Sequence, residues 1–257
     1  MGHKKGILIV SFGTSHLDTM DKTIAAIENE AAAAFPERRI YRAFTSRIIV
    51  KKLKETEGIL IHDVEGALKQ MRADGIETVM VQPTYIVNGL EYDKMVKELE
   101  EYTGWFQAVR IGKPLLSIPE DYKKSIHVVA AEARLGDDEV LILMGHGTNH
   151  HANSAYPTLE YTAHFLGYRN VLVGTVNEFP NKMDVMAKLG VSGYRKVKLM
   201  PFLLTAGRHA KKDMEFGEDS WKAELESEGY TVTVISKGLG EMEGIRKLFI
   251  AHLEELM

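Results

Sequence analysis

Residues 140–151 read VLILMGHGTNHH, and the fold can be worked out from this stretch outward. An apolar run (140–144) stops at Gly145-His146-Gly147, a pattern typical of a buried strand that ends in a tight turn. A histidine between two glycines has little bulk around it, so a ligand can approach its imidazole and the neighbouring backbone. We therefore predict that His146 is a metal ligand; a structural turn histidine is the alternative.

Composition narrows the class of protein. The chain has 257 residues, 45% of them hydrophobic and 26% charged, which is ordinary for a globular protein of one large domain or two lobes. A net charge of -4 gives no indication of nucleic-acid binding, and the absence of cysteine excludes disulfides and thiolate metal sites. No apolar run approaches the roughly 18 residues of a membrane span. We expect a cytoplasmic α/β protein that binds neither nucleic acid nor membrane.

Apolar strand-like runs alternate with helix-like segments along the whole chain. This alternation predicts parallel βαβ units, four in each half of the sequence. The predicted strands are 6–10, 39–44, 77–83, 106–112, 140–144, 170–175, 196–201 and 230–236.

The two halves resemble each other. Residues 7–16, ILIVSFGTSH, align with 141–150, LILMGHGTNH, and residues 75–89 align with 193–207. The offset between the halves falls from 134 (141 minus 7) to 118 (193 minus 75), so the first half holds 16 extra residues near the basic segment 46–58. A duplication therefore predicts two pseudo-symmetric lobes, each a parallel four-stranded sheet flanked by helices, with a cleft between them. The predicted lobes are residues 1–118 and 119–257.

In open parallel sheets, ligands bind beyond the carboxyl ends of the strands. Three side chains with nitrogen or oxygen donors follow three successive strands of the second lobe: His146, Glu178 and His209. Such a His₂Glu set suits a divalent cation such as Co²⁺, Ni²⁺, Fe²⁺ or Zn²⁺ and leaves positions open for substrate. The alternatives are a helix-opening role for Glu178 and an exposed basic helix end for His209.

The first lobe would supply the facing wall of the cleft. Glu91 aligns with His209 and is a candidate further ligand or proton acceptor, with a helix-start glutamate as the alternative. Aromatic and apolar residues at strand ends suit a flat macrocycle, although such residues also serve as core. The candidate substrate-binding residues are Phe12, Thr14, Ser15, Phe44, Tyr85, Phe202, Leu203 and Arg208. Further basic residues (Arg42, Arg47, Lys51 and Lys52) are candidates to receive carboxylates at the rim.

Several segments together resemble one known family. ILIVSFGTSH, AFTSRIIVKKL, NGLEYDKM, LMGHGTNHHAN, NEFP and LMPFLLTAGRHAKKDM occur in order between about residues 5 and 255. They resemble the sirohydrochlorin cobaltochelatases of anaerobic cobalamin biosynthesis, which are ATP-independent chelatases related in fold to ferrochelatase. The resemblance implies a two-lobed α/β fold with the active site in the cleft.

The resemblance also implies an activity and a ligand set. The expected reaction is insertion of Co²⁺ into sirohydrochlorin or precorrin-2, with His146, Glu178 and His209 binding the metal and His146, His209 and Glu91 acting in catalysis. No permanently bound cofactor is expected, since Co²⁺ is a substrate, and a homo-oligomer is allowed. The alternatives are a chelatase for Fe²⁺ or Ni²⁺, a non-catalytic tetrapyrrole or metal carrier, and a phosphate-handling α/β enzyme. SFGTS and MGHGT stand where the last of these would carry an Arg-His-Gly run or a phosphate loop.

Overall fold

A computed structural model describes residues 4–207 and 212–257 of the chain. It divides into two compact units: unit 1 comprises the residues up to Ser117 together with Ile245–Met257, and unit 2 comprises Ile118–Gly244. The prediction from sequence assigned the C-terminal helix to the second lobe, residues 119–257. The structure corrects this assignment, because residues 245–257 pack in unit 1.

The sheet of unit 1 contains four parallel strands in the order β2-β1-β3-β4. In register, Ile7 on the central strand β1 lies between Ile40 and Met80. The strands are β1 (Lys5–Ser11), β2 (Arg39–Phe44), β3 (Thr78–Pro83) and β4 (Ala108–Ile111). The helices are α1 (Leu17–Met20), continued by a π-helical turn (Asp21–Ala25) into α2 (Ala26–Ala34), then α3 (Arg47–Glu57), α4 (Val64–Ala73), α5 (Leu90–Glu100) and a 3₁₀ turn (Thr103–Trp105).

Unit 2 has the same strand order, β6-β5-β7-β8, again with all pairs parallel. Its strands are β5 (Glu139–Gly145), β6 (Val171–Thr175), β7 (Lys196–Pro201) and β8 (Thr231–Val234). Its helical elements are α6 (Pro119–Ala133), a 3₁₀ turn (His151–Ser154), α7 (Ala155–Phe165), α8 (Lys182–Ser192), α9 (Trp221–Ser227) and a second 3₁₀ turn (Leu239–Glu241). The last helix, α10 (Glu243–Glu254), begins at the end of unit 2 and continues into unit 1. The prediction of two parallel four-stranded sheets flanked by helices is confirmed.

Both faces of each central strand are buried, as expected for parallel sheets covered by helices. In β1, Leu8 and Val10 belong to one apolar cluster, whereas Ile7 and Ile9 belong to a second cluster that also contains Leu253 of α10. This alternation explains why the strand appears in sequence as a continuous apolar run rather than an alternating one. In unit 2, alternate residues of β5 pack with Trp221 of α9.

The internal repeat is visible in the turn that follows the central strand of each unit. Gly13 and Gly147 both have positive φ, +101° and +80°, which glycine adopts without steric cost. A threonine follows the glycine in both turns, and its hydroxyl accepts a hydrogen bond from the backbone N–H of the histidine two residues later. The distances are 3.2 Å from His16 to Thr14 and 3.3 Å from His150 to Thr148. The same local hydrogen bonding therefore shapes the two turns.

The extra residues of the first half form helix α3. Ser46 caps its start by accepting a hydrogen bond from the Ile49 backbone, and Gly58 ends it in the left-handed conformation. In unit 2, β6 leads directly to α8, the counterpart of α4, with no helix between them. None of the helices in the described part of the chain is long and apolar enough to cross a membrane.

Candidate metal centre

The loop after β5 carries His146 on a tightly packed support. Tyr156 of α7 is buried directly beneath this loop, and a Cβ at Gly145 would lie 2.2 Å from its Cε1 atom. Only glycine therefore fits at position 145. Burial raises the pKa of the Tyr156 phenol, and hydrogen bonds with the backbone of Gly147 and His146 oppose that shift. His146 is therefore exposed, while the backbone that carries it packs against Tyr156.

The hydrogen bonds of His146 leave one ring nitrogen available. Its Nδ1 lies 3.0 Å from the carbonyl oxygen of Gly147, a contact that the tautomer with a proton on Nδ1 satisfies by donating. In that tautomer Nε2 keeps its lone pair and can bind a metal ion. Histidines that bind metals commonly donate their other ring N–H to a carbonyl in this way.

The loop after β6 contacts the His146 loop. The Asn177 backbone N–H and side-chain Nδ2 both donate to the carbonyl of His146 at 3.2 Å, and Nδ2 also lies 3.3 Å from Nδ1 of the ring. A Cβ at Gly147 would lie 3.1 Å from the Glu178 backbone nitrogen and 2.8 Å from the Thr175 hydroxyl oxygen. The structure therefore brings the loops that carry two predicted ligands, His146 and Glu178, into contact.

Glu178 lies in a well-defined turn. The Thr175 hydroxyl accepts the Glu178 N–H at 3.1 Å and donates to the Glu178 carbonyl oxygen. The Phe179–Pro180 peptide bond that follows is cis. α8 then begins with its own cap, in which the Asn181 side chain accepts hydrogen bonds from Met183 and Asp184. Because Asn181 caps this helix, Glu178 is not its first-turn residue, which removes the main alternative to a ligand role.

Asn153 joins the two loops and was not predicted from the sequence. Its Oδ1 accepts the Thr148 N–H at 3.0 Å, and its Nδ2 donates to the Phe179 carbonyl. Asn177 and Tyr156 are the other positioning residues that the sequence pattern did not single out. Their roles depend on contacts between separate loops, so no local spacing identifies them.

The third predicted ligand, His209, lies outside the described residues, as does Arg208. Among residues 4–207 and 212–257 there is no group of three or more His, Asp or Glu side chains placed to hold a metal ion. Of the three predicted ligands, the structure therefore describes His146 and Glu178 with the loops that carry them.

In unit 1, Glu91 lies in the first turn of α5, after the carboxyl end of β3. Its Oε1 atom accepts a hydrogen bond from Lys94 Nζ at 2.8 Å, in an ion pair whose two side chains are 41% and 69% exposed. An exposed ion pair of this kind is weak, so the carboxylate can exchange Lys94 for another cation.

The predicted substrate contacts of unit 1 divide into exposed and buried residues. Phe12 is 51% exposed, whereas Thr14 is buried and uses its hydroxyl within the turn. Ser15 is half-buried. Tyr85 is also half-buried and donates its hydroxyl to Thr45 at 3.1 Å, and burial raises the pKa of its phenol well above the usual value.

Two aromatic residues correct the prediction. Phe44 is completely buried because its ring lies under Gly13, where an added Cβ would come within 2.5 Å of it. Phe202 is also completely buried, while its neighbour Leu203 is half-buried. Phe44 and Phe202 are therefore core residues and present no surface to a ligand.

Two further polar residues, His150 and the candidate rim residue Arg42, have structural partners. His150 accepts the Ala152 N–H on its Nδ1 at 3.2 Å, so it caps the 3₁₀ turn. Arg42 forms a bidentate ion pair with Glu28 at 2.5 and 2.6 Å. Arg42 is therefore no longer a candidate to bind substrate carboxylates.

The fold defines the class of protein. The structure matches SirB from Bacillus subtilis with Fe³⁺ at a TM-score of 0.69, with 17% identity over 100% of this chain and 96% of that one. It also matches CbiX, described as the terminal enzyme for biosynthesis of sirohaem in denitrifying bacteria, at a TM-score of 0.62, with 16% identity over 98% and 99% of the chains. The molecule thus has the chelatase fold.

Sequence comparison identifies the family within that class. The model of the cobalt chelatase (CbiK) family matches residues 5–257, and the chain belongs to this family. The chain is 39% identical to the sirohydrochlorin cobaltochelatase of Salmonella typhimurium over 99% of its length and 97% of that protein. It is 31% identical to the sirohydrochlorin cobaltochelatase CbiKC of Nitratidesulfovibrio vulgaris over 97% of its length and 89% of that protein.

Proposed function

We propose that this protein inserts Co²⁺ into sirohydrochlorin, without ATP, in cobalamin biosynthesis. Family membership over nearly the whole chain supports the reaction class and both substrates. Within the structure, the observation that carries the proposal is His146, which is exposed on a packed loop with Nδ1 3.0 Å from the Gly147 carbonyl oxygen; the tautomer that donates to this oxygen leaves Nε2 available. Neutral imidazole suits a borderline cation such as Co²⁺.

The proposed ligand set is His146, Glu178 and His209. Three protein ligands hold the ion after it has lost part of its water shell and leave positions at which pyrrole nitrogens can bind. As metal–nitrogen bonds to the macrocycle form, the pyrrole N–H bonds break and the imidazole and carboxylate bonds to the metal are released. The released protons need acceptors, and Glu91 is our candidate because its carboxylate pairs with the exposed Lys94 and lies beyond the carboxyl end of β3.

The loop structure supports this role for His146. A ligand that must first hold the metal and then release it benefits from a fixed position, because the ring then loses little freedom on binding. Tyr156 and Asn177 supply that position through the backbone on either side of the ring. No permanently bound cofactor is needed in this scheme. A cytoplasmic location and a homo-oligomer stay predictions.

The test is a spectrophotometric assay with sirohydrochlorin and Co²⁺ under anaerobic conditions, run in parallel with Ni²⁺ and Fe²⁺. We expect Co²⁺ insertion by the unaltered protein, and a loss of more than about tenfold in His146→Ala and in His209→Ala. His127→Ala is the matched control, because His127 is an exposed helix residue that pairs with the Tyr168 hydroxyl. Wild-type turnover by His146→Ala would refute the ligand assignment, and binding of sirohydrochlorin without insertion would favour a carrier.

A further inference from the structure

Helix α3 is the element of unit 1 that unit 2 lacks. In unit 1, helix α4 connects the edge strand β2 to β3. In unit 2, helix α8 connects the equivalent edge strand β6 to β7. Only unit 1 inserts another helix before that return. A function carried by α3 is therefore additional to the duplicated framework.

The packing of α3 leaves most of its surface in solvent. Leu53 is its one buried residue, and four residues lie on the opposite side at helical spacing: Arg47, Ile48, Lys51 and Lys52. Ile48 is 81% exposed, so the cations of this side flank an apolar side chain that is accessible to a ligand. We call these four residues the outer face of α3.

The outer face is basic in a chain that is acidic overall. The helix sequence RIIVKKLKETE has four cations and two carboxylates, whereas the net charge of the whole chain is -4. Its ion pairing within the protein is weak. Lys51 lies 3.8 Å from Glu55 in an exposed pair, and Lys52 has no ion pair with any residue that the structure describes. Arg47 is partly compensated by Glu65: the Lys69 hydrogen bond is the main cause that lowers the pKa of this carboxyl, and the Arg47 charge adds to it.

The start of α3 is joined to the ligand-binding edge of the sheet. The Ser46 N–H donates to the Phe12 carbonyl at 3.2 Å, and the Thr45 N–H donates to the Ser11 carbonyl at 2.9 Å. Phe12 itself is half-exposed, at 51%. The outer face and the Phe12 ring therefore both belong to the carboxyl edge of a parallel sheet, where ligands bind.

We propose that the outer face of α3 binds the carboxylates on the rim of the tetrapyrrole and so selects a macrocycle rich in acidic side chains. This inference rests on the proposed function. Sirohydrochlorin carries acetate and propionate groups around an apolar ring system, a chemistry that matches lysines grouped about an exposed isoleucine. Lysine is a flexible point charge, so Lys51 and Lys52 can follow carboxylates that lie on short or longer arms.

The test compares two doubly substituted proteins with the same change in net charge. Lys51→Gln/Lys52→Gln removes the cations from α3. Lys97→Gln/Lys124→Gln removes two other exposed lysines, on α5 and α6. We expect the α3 variant to raise KM for sirohydrochlorin about three- to tenfold with kcat within about twofold, because rim charges contribute to binding and not to the chemical step. The control should keep both constants within about twofold of the unaltered protein.

A binding experiment tests selectivity directly. Uroporphyrin I carries acetate and propionate on every pyrrole, and coproporphyrin I has methyl in place of each acetate. Quenching of their fluorescence gives the affinity of each probe for the protein. We expect the unaltered protein to prefer uroporphyrin I, and the α3 variant to lose most of that preference while the control keeps it.

The outcomes separate the two proposals. If the unaltered protein inserts no metal into sirohydrochlorin, the proposed function fails. If it inserts Co²⁺ but the α3 variant keeps its KM and its preference for uroporphyrin I, the role of α3 is refuted. An equal rise in KM in the control variant would also refute it, since the effect would then be one of overall charge. Circular dichroism checks that both variants are folded.

Discussion

Replacing Gly147 with alanine is the sharpest test of the contact between the His146 and Glu178 loops. At φ +80° an alanine costs about 1 kcal/mol in left-handed strain. Its Cβ would also lie 2.8 Å from the Thr175 hydroxyl oxygen and 3.1 Å from the Glu178 nitrogen. Thr175 is completely buried at the end of β6, so it cannot move aside freely. Overpacking of this kind costs about 1–3 kcal/mol, so we expect a total loss of about 2–4 kcal/mol.

Gly193 provides a control with nearly the same φ angle. It has φ +81°, and an added Cβ would have no atom within 4 Å. Gly193→Ala should therefore cost only the left-handed strain, about 1 kcal/mol. The difference between the two alanine variants isolates the effect of the loop contact.

Urea unfolding of unit 2 can be followed by the fluorescence of the buried Trp221, with Trp105→Phe as the background. Co²⁺ insertion is measured on the same proteins. We expect Gly147→Ala to be less stable than Gly193→Ala and to lose activity. If the loop yields to the methyl group instead, stability falls less but activity is still lost, because His146 has moved. Equal stability of the two variants together with wild-type activity of Gly147→Ala would refute the contact.

Two further predictions concern side-chain hydrogen bonds in unit 2. Asn177→Ala removes the side-chain donor to the His146 carbonyl and leaves the backbone donor in place. It should raise the KM for Co²⁺ about tenfold with little change in stability; an unchanged KM would show that the Asn177 side chain does not position the ring. Glu139 accepts hydrogen bonds from Lys198 at 2.8 Å and from the Gly136 backbone at 2.7 Å, and these, Lys198 first, lower the pKa of its carboxyl. A lowered pKa stabilises the fold above the unfolded-state value of about 4.3, and this contribution is lost as the pH falls through the folded-state pKa. Glu139→Gln should therefore be less stable than the unaltered protein by about 1 kcal/mol at pH 7, with the difference disappearing in urea unfolding near pH 3; a constant difference would contradict the ionic origin.

The sheets could be predicted from sequence because their signals are local. Buried parallel strands are apolar runs ended by glycine or proline, and helices start at recognisable caps such as Ser46 and Asp63. The position of α3 was also predictable, because the offset between the halves changes by the length of an insertion. These features depend on neighbouring residues or on comparison of one half with the other.

The direction in which a side chain points was not predictable where it depends on a distant partner. Phe44 turns inward because Gly13, on another loop, leaves room for its ring. Arg42 was a candidate for substrate carboxylates, but Glu28 on α2 forms an ion pair with it. The support of His146 by Tyr156 and Asn177 likewise joins separate segments. Candidate metal ligands could thus be proposed from the sequence, whereas the residues that position them could be recognised only from the fold.

The C-terminal helix has a consequence for how the chain folds during synthesis. Leu253 packs with Ile7 and Ile9 of β1, and the Arg110 side chain donates to the carbonyl oxygens of Leu256 and Met257. The ribosome makes these last residues only after the whole of unit 2. Unit 2 can therefore reach its native structure first, while the earlier-made unit 1 waits for its final helix. A fragment ending at residue 117 would leave the apolar cluster around β1 open to water and prone to aggregation.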